Sequence, residues 1–249
     1  MNKPLVSIIT PAYNADKYIE ETICSVINQS YQKWEMIIID DCSKDLTYEK
    51  IKKYSEKDRR IKLLQNVNNK GVAFTRNRAI ELSQGKYIAF LDADDLWDEK
   101  KIEKQVEFME KNKILLSYTG YRKINEDGSI RGEIKVPLKL DYDELLKNCL
   151  IGFLTSMYNQ EILGKQYFKN IKVEDYVYWL EMIKKIEFAQ GLEESLASYR
   201  VLENSRSSNK LDIVKQHWKI YYNIEKLGLI VSIKYYLIYL YRGLKRYKI

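Results

Sequence analysis

The sequence lacks the patterns that mark several common protein classes. Its three cysteines, Cys24, Cys42 and Cys149, are an odd number, lie far apart and form no CxxC pair. They indicate neither a disulfide framework nor a zinc site, and a reducing, cytosolic setting fits them best. The N-terminal apolar run stops at Pro11, too early for a signal peptide. No stretch offers the roughly 18 uncharged apolar residues that a membrane-spanning helix needs.

Glycine is also missing where nucleotide-binding loops require it. The segment that follows the first predicted strand, residues 10–18 (TPAYNADKY), contains no glycine. A dinucleotide-dependent oxidoreductase would carry GxGxxG at this place, and a P-loop protein would carry GxxxxGK followed by Ser or Thr. Sugar nucleotidyltransferases usually place a glycine-rich basic loop there. The sequence therefore argues against all three classes.

Among the features that the sequence does contain, the stretch of residues 86–97 (KYIAFLDADDLW) is the central one. Its apolar run, Tyr87 to Leu91, follows a glycine and favours a buried strand. Three carboxylates come directly after it: Asp92, Asp94 and Asp95. Ligands of open α/β sheets bind at the carboxyl ends of strands, and crowded carboxylates repel one another unless a cation or a helix N-terminus compensates them. The pattern therefore indicates either an Mg²⁺ or Mn²⁺ site or a helix cap formed by Asp94 or Asp95.

The apolar pattern of the first half predicts an α/β fold. Strands are expected at residues 5–10, 34–39, 61–64 and 87–91, and helices at 16–29, 46–54, 72–82 and 99–111. This alternation indicates a mostly parallel sheet with helices on both faces, formed by one large domain or a domain with an appendage. The second half departs from strict alternation. It predicts a hairpin within 114–136, helices at 141–149 and 173–185, and strands at 155–159 and 195–201.

The loop at residues 66–71 leads through Gly71 into the helix that carries Arg76 and Arg78. Free backbone N–H groups and the helix dipole favour anions at such a helix start, so the loop is suited to phosphate. An ordinary surface loop with solvated arginines is the alternative.

Four blocks of the sequence resemble family-two glycosyltransferases in their order and spacing. They are residues 6–14 (VSIITPAYN), 37–45 (IIIDDCSKD), 75–95 (TRNRAIELSQGKYIAFLDADD) and 174–175 (ED). The resemblance covers roughly residues 4–210 and implies the GT-A fold: a Rossmann-like, mostly parallel sheet, a small acceptor-side α+β region and a C-terminal helical tail. It also implies an inverting hexosyltransferase that uses a UDP-sugar with Mg²⁺ or Mn²⁺.

The same resemblance implies a division of the chain and a set of donor-binding residues. Residues 1–120 would form the nucleotide-sugar-binding half, 121–210 the acceptor-binding and catalytic-base half, and 211–249 a basic amphipathic helical tail. The residues expected to bind the pyrimidine base are Pro11, Tyr13 and Asp41. Stacking on a ring and a carboxylate acceptor for the uracil N–H suit base recognition.

The remaining roles that the resemblance implies belong to the acidic blocks and one arginine. Asp92, with Ala93 beside it, would approach the ribose, and Asp94 would hold the divalent cation that bridges the diphosphate. We expect Asp95 to cap the following helix. Arg76 would lie near the donor, and Asp175 would be the catalytic base.

One position departs from the family pattern. Many relatives carry a histidine shortly after the tyrosine-arginine pair of the last strand, whereas this chain has Leu202 there. The second protein ligand of the metal therefore stays open. The only histidine, His217, lies in an apolar helical pattern beside Trp218 and is expected to be a packed or surface residue.

The tail carries most of the net charge. Residues 211–249 hold eight lysines and arginines against two carboxylates, a net +6 of the chain's +7. The apolar positions follow a helical spacing: Leu229, Ile230, Ile233, Tyr236, Leu237, Leu240 and Tyr241. This pattern indicates either a helix that lies in an anionic membrane surface or a helix that packs on the catalytic domain with solvated lysines. A basic, tyrosine-rich nucleic-acid-binding protein is the alternative from another functional class.

The resemblance favours the membrane, since many bacterial relatives extend lipid-linked precursors of surface polysaccharides. We therefore expect a UDP-sugar donor, a glycan or lipid-linked glycan acceptor and an anionic membrane surface as partners, and no nucleic acid. The expected location is the cytoplasm, peripherally on the inner face of the cell membrane.

Overall fold

The computed structural model describes residues 3–202 and 210–246. Within them the strands are β1 (Val6–Ala12), β2 (Trp34–Asp40), β3 (Ile61–Gln65), β4 (Tyr87–Phe90), β5 (Leu96–Trp97), β6 (Leu116–Ile124), β7 (Ile130–Ile134), β8 (Lys139–Leu140), β9 (Met157–Asn159) and β10 (Ala189–Arg200). The helices are α1 (Ile19–Ile27), α2 (Thr47–Ser55), α3 (Val72–Leu82), α4 (Lys101–Asn112), α5 (Tyr142–Lys147), α6 (Gln160–Leu163), α7 (Glu174–Ile183), α8 (Lys210–Lys219) and α9 (Leu229–Arg246).

The ten described strands form one mixed sheet, eight of them in the order β3-β2-β1-β4-β9-β6-β10-β5, while β7 pairs with β6 and β8 with β10. The chain moves outward from β1 to β3 and then crosses back to β4 on the other side of β1, and these four strands are parallel. The strand order therefore reverses between β1 and β4, where open α/β sheets bind ligands at the carboxyl ends of their strands. Because β9 is antiparallel to both β4 and β6, and β10 is parallel to β6, the carboxyl end of β10 reaches this same edge.

Two apolar cores cover the two faces of the sheet. Side chains alternate along a strand, so Ile8 and Ile38 face one core while Ile9 and Ile37 face the other. Helices α1, α2 and α4 cover the first core, and α3 and α7 cover the second. Continuous apolar strands covered by helices on both sides confirm the predicted α/β class.

Several element bounds differ from the sequence predictions. Strand β1 runs through Pro11 to Ala12, and Pro11 lies beyond the last residue of β1 that pairs with β4, so its missing N–H breaks no bond to that strand. Strand β10 begins at Ala189, earlier than predicted, and contains two register shifts against β6. The two-residue strands β5 and β8 and the short helix α6 were not predicted.

The expected boundary between residues 120 and 121 lies inside β6, so one sheet joins the strands on both sides of it. The polar composition after β10 also predicts a loop at residues 203–210, and residues 203–209 of it lie outside the described residues. In residues 3–202 and 210–246, none of the helices combines the length and the apolarity that crossing a membrane requires.

Candidate active site

The predicted base-binding residues lie at the carboxyl ends of β1 and β2. These ends are adjacent, since Ala12 pairs with Asp40 and the Asp41 N–H donates to the Ala12 carbonyl at 2.8 Å. Tyr13 follows β1 with 49% of its surface exposed, so its ring is open to a ligand. Pro11 is half-buried in the last part of β1. The structure thus brings Pro11, Tyr13 and Asp41 together at one edge of the sheet.

The Asp41 carboxylate binds the N-terminus of α3. It accepts hydrogen bonds from the backbone N–H groups of Lys70 and Gly71, both at 2.8 Å, and from the Asn66 amide at 2.6 Å. The anion at this helix start is therefore a side chain of the protein itself, not the phosphate considered from the sequence. A carboxylate has about four acceptor positions, so these three hydrogen bonds leave roughly one of them unused in the buried Asp41 side chain.

The acidic loop after β4 is held by two other parts of the chain. The Thr22 hydroxyl lies 3.0 Å from the Ala93 carbonyl and 2.9 Å from the Asp95 carbonyl. The Asp95 carboxylate is buried and accepts the backbone N–H of Arg200 at 3.0 Å. The prediction that Asp95 caps a helix is wrong, because α4 begins only at Lys101, after the short strand β5 has paired with β10.

The other two acids of this loop are open to a ligand. Asp92 keeps 32% of its side chain exposed, and Asp94 is half-buried. Burial and the neighbouring charge of Asp92 raise the pKa of Asp94 to about 6. Two carboxylates that repel each other at a ligand edge fit a divalent cation, which would relieve that repulsion.

These residues fit Mg²⁺ or Mn²⁺ only together with ligands from elsewhere. Among the described residues, no group of three or more His, Cys, Asp and Glu side chains is arranged to hold a metal ion. Mg²⁺ is commonly held by one or two carboxylates plus substrate phosphates and water. Asp94, with Asp92 beside it, would supply the protein's share of such a site.

Arg200 fixes the acidic loop, although the sequence reasoning gave it no role. Its buried guanidinium donates to the carbonyls of Asp94 and Glu126, both at 3.0 Å, and to the Glu21 carboxylate at 2.7 Å. The feature of the sequence that could have indicated this role is an arginine at the end of the last predicted strand. It joins β10, α1 and the β6–β7 turn to the acidic loop.

Arg76 connects the donor side of the site to helix α7. It donates to Asp92 at 2.8 Å and to Glu174 at 3.1 Å, and its guanidinium lies 3.7 Å from the ring centroid of Phe153. Burial alone would lower its pKa, but the charges of Asp92 and Glu174 outweigh that effect and keep the pKa above its usual value. Because Arg76 is buried between two carboxylates, its place indicates a positioning residue and not a direct phosphate ligand.

The predicted base, Asp175, lies in the first turn of α7. Its carboxylate accepts the backbone N–H of Tyr176 at 2.8 Å. Burial and the charge of Glu174 raise the pKa of Asp175, while the positive charge of Arg76 opposes that shift. The charge of Asp92 also contributes, as the smallest of these causes, to raising the pKa of Asp175.

His217 lies away from these residues. It is buried and stacks between Tyr239, with ring centroids 3.8 Å apart, and Tyr176, at 5.1 Å. Of the two places expected for His217, packed inside the protein or on its surface, the structure shows the packed one.

Comparison with known proteins identifies relatives along nearly the whole chain. The family model described as Glycosyl transferase family 2 matches residues 7–179. The putative teichuronic acid biosynthesis glycosyltransferase TuaG of Bacillus subtilis is 46% identical over 227 residues, which cover 90% of both chains. An Escherichia coli relative, UDP-Glc:alpha-D-GlcNAc-diphosphoundecaprenol beta-1,3-glucosyltransferase WfgD, is 40% identical over 248 residues, 99% of this chain and 96% of its own.

Solved structures share the fold at lower identity. S. aureus TarS 1–349 in complex with UDP-GlcNAc aligns with a TM-score of 0.71 and 20% identity, over 88% of this chain and 66% of that one. The mannosyltransferase PcManGT of Pyrobaculum calidifontis, in complex with GDP-Man and Mn²⁺, aligns with a TM-score of 0.68 and 18% identity, over 88% and 64% of the two chains.

These similarities confirm the GT-A fold predicted from the sequence. They also favour a glycosyltransferase over the nucleic-acid-binding alternative, because the family match spans both the acidic strand end and the Glu174-Asp175 pair. The chain therefore belongs to glycosyl transferase family 2.

Proposed function

We propose that this enzyme transfers a hexose or an N-acetylhexosamine from a UDP-sugar to a hydroxyl group of a lipid-linked glycan, with inversion at the anomeric carbon. The name of WfgD supports the donor and acceptor class, since it specifies UDP-Glc and a GlcNAc-diphosphoundecaprenol acceptor. The name of TuaG supports a role in surface polysaccharide synthesis, since it specifies teichuronic acid biosynthesis. A lipid-linked acceptor supports a cytoplasmic enzyme attached peripherally to the inner face of the cell membrane.

The observation that carries this proposal is that Arg76 binds both Asp92 and Glu174, the residue before Asp175. Asp92 follows β4 and binds Arg76 directly, while Asp175 opens α7 next to the Glu174 that binds the same arginine. Arg76 thus joins the donor edge to the first turn of α7, where Asp175 lies. Inverting transfer needs groups on both sides of the sugar, because the leaving group and the base act from opposite sides.

In the proposed reaction, Tyr13 stacks on the uracil and the open acceptor position of Asp41 takes the uracil N–H. Asp92 binds the ribose, and Asp94 would hold the divalent cation. When bound, Mg²⁺ or Mn²⁺ supplies Lewis-acid stabilisation of the charge on the departing UDP. Asp175 takes the proton from the acceptor hydroxyl as that oxygen attacks, and a raised pKa suits a carboxylate for this role.

The test compares two isosteric variants with a matched control. Asp175→Asn should reduce turnover by at least about a hundredfold, the lower end for loss of a general base, while UDP affinity changes little. Asp94→Asn should weaken both turnover and the Mn²⁺-dependent binding of UDP measured by calorimetry. Glu107→Gln, at an exposed position of α4, should match the wild-type protein in both measurements.

Two results would contradict these roles. An equal loss of UDP affinity in Asp175→Asn would make Asp175 a donor-side or structural residue, and wild-type turnover in Asp94→Asn would remove it from the metal site. A panel of UDP-hexoses and UDP-N-acetylhexosamines would identify the donor sugar.

A further inference from the structure

Helix α9 carries a continuous apolar face that points away from the protein. Ile230, Ile233, Leu237 and Tyr241 are spaced three, four and four residues apart, which places them on one side of the helix. All four are exposed, with Ile230 at 84%, Leu237 at 58% and Tyr241 at 67%. Leu229, just before Ile230, is exposed as well. We call these five residues the outer face of α9.

The opposite side of α9 packs on the domain through polar and aromatic contacts. Tyr235 is buried and donates to Asp143 of α5, and Tyr239 stacks on His217 of α8. Arg242 lies 3.4 Å from Glu144 of α5. The structure therefore combines the two alternatives left open by the sequence: α9 packs on the domain, and an apolar face stays exposed.

The charged groups around the outer face are positive. Lys226 and Lys234 are exposed on or next to α9. The one carboxylate between residues 214 and 242, Glu225, has a side chain only 1% exposed and binds Lys184 at 2.5 Å. Asp143 and Glu144, on the packed side, both bind Lys147. An apolar face bordered by lysines is complementary to an anionic lipid surface, where apolar side chains enter the interface and lysines reach the headgroups.

Other segments of this chain are poor occupants for the outer face. Residues 203–209 (ENSRSSN) are entirely polar, so they offer the outer face no apolar partner. A contiguous apolar surface of this kind commonly marks an interaction site. A second copy of the protein would bring lysines against lysines around the apolar centre, whereas anionic lipid would neutralise them.

We propose that the outer face of α9 docks the enzyme on an anionic bilayer, with the helix lying along the interface. This inference rests on the proposed function, because it assigns the surface that meets the membrane carrying the lipid-linked acceptor. The docking itself needs neither donor nor acceptor, so it is measured separately from catalysis.

The experiment uses full-length protein and sedimentation with vesicles of phosphatidylglycerol and phosphatidylethanolamine at low salt, with phosphatidylcholine vesicles for comparison. The wild-type protein should sediment with the anionic vesicles and be released by high salt. Ile230→Gln combined with Leu237→Gln should weaken the partition at least about tenfold, since two apolar side chains no longer enter the interface. Lys234→Gln should weaken it about fivefold.

The matched control is Ile130→Gln combined with Ile162→Gln, which changes equally exposed isoleucines on β7 and α6. It should bind vesicles like the wild-type protein. Turnover with a water-soluble acceptor should be the same in both double variants. If the wild-type protein shows no such turnover, this result would contradict the proposed function and leave the docking proposal unaffected.

Three outcomes would overturn the inference. The wild-type protein stays in the supernatant with anionic vesicles, the control variant loses as much binding as the α9 variant, or light scattering shows a dimer that the α9 variant dissociates without any change in vesicle binding. The last result would assign the outer face to a second copy of the chain.

Discussion

Replacing Arg76 by methionine tests whether this buried arginine joins the two halves of the active site. The variant removes the cation that Asp92 and Glu174 share and keeps much of the apolar volume over Phe153. Asp92 is 32% exposed and stays partly solvated, but the Glu174 side chain is only 8% exposed. Removing one partner of a buried ion pair costs about 3–5 kcal/mol, so we expect a loss of that size in the free energy of unfolding.

Urea unfolding and a double-mutant cycle with Glu174→Gln would measure this effect. In a protein of this size, such a loss corresponds to a decrease in Tm of roughly 10 °C. Because Glu174→Gln removes the buried negative charge, the double variant should be more stable than the sum of the two single losses predicts, by about 1–3 kcal/mol. Arg78→Met is the matched control on the same helix, since Arg78 binds the neutral oxygens of Gln65 and Asn66.

Either of two results would refute the reasoning. Additive losses in the cycle would show that Arg76 and Glu174 do not act as a pair. A loss in Arg76→Met no larger than in Arg78→Met would show that the buried position adds nothing to the interaction.

Three further predictions concern other parts of the protein. Burial lowers the pKa of Lys101 in the folded state, so wild-type stability should rise with pH up to the unfolded value of 10.5, and Lys101→Met should flatten this slope in Tm measured against pH. Gly71→Ala should cost about 1–3 kcal/mol in urea unfolding and weaken UDP binding, because Gly71 has a φ of 86° and its N–H binds Asp41. In Arg76→Met, the acid limb of kcat/KM should move to higher pH, because Arg76 lowers the pKa of Asp175.

Each of these three predictions would be contradicted by one particular result. An unchanged pH slope in Lys101→Met would show that the lysine is charged in the folded protein. Wild-type UDP affinity in Gly71→Ala would separate the helix start from the base pocket. A shift of the acid limb to lower pH would show that Asp175 is not the group titrated in the rate profile.

The donor edge could be predicted because its signals are local. Strand β4 and the acids after it form one uninterrupted block, from Tyr87 to Asp95, and β1 and β2 show the same apolar run before a polar end. The hydrogen bond between Asp41 and the Gly71 N–H was harder to predict from the sequence, since the helix start at Gly71 suggested an external anion. Only the structure shows that the protein supplies this anion from a strand 30 positions earlier.

The errors come from long-range pairing. Asp95 has the residue type of a helix cap, but Leu96 and Trp97 pair with β10 and delay the helix. In the tail, the apolar spacing correctly indicated a helical face at Ile230 and Leu237. It did not show that Tyr235 and the residues near it would form a second, packed face, because tyrosines suit both a protein interior and a wet surface.

The hydrogen bond from the Arg200 N–H to Asp95 also bears on how the protein is made. The two residues lie 105 positions apart, and a ribosome adds roughly 5–20 residues per second, so about 5–20 s separate their synthesis. Throughout that interval the residues of β1 to β4 have been made, but the acidic turn lacks the strand that holds it in place. We therefore expect nucleotide-sugar binding to appear only late in the synthesis of the chain, once β10 has paired with β6.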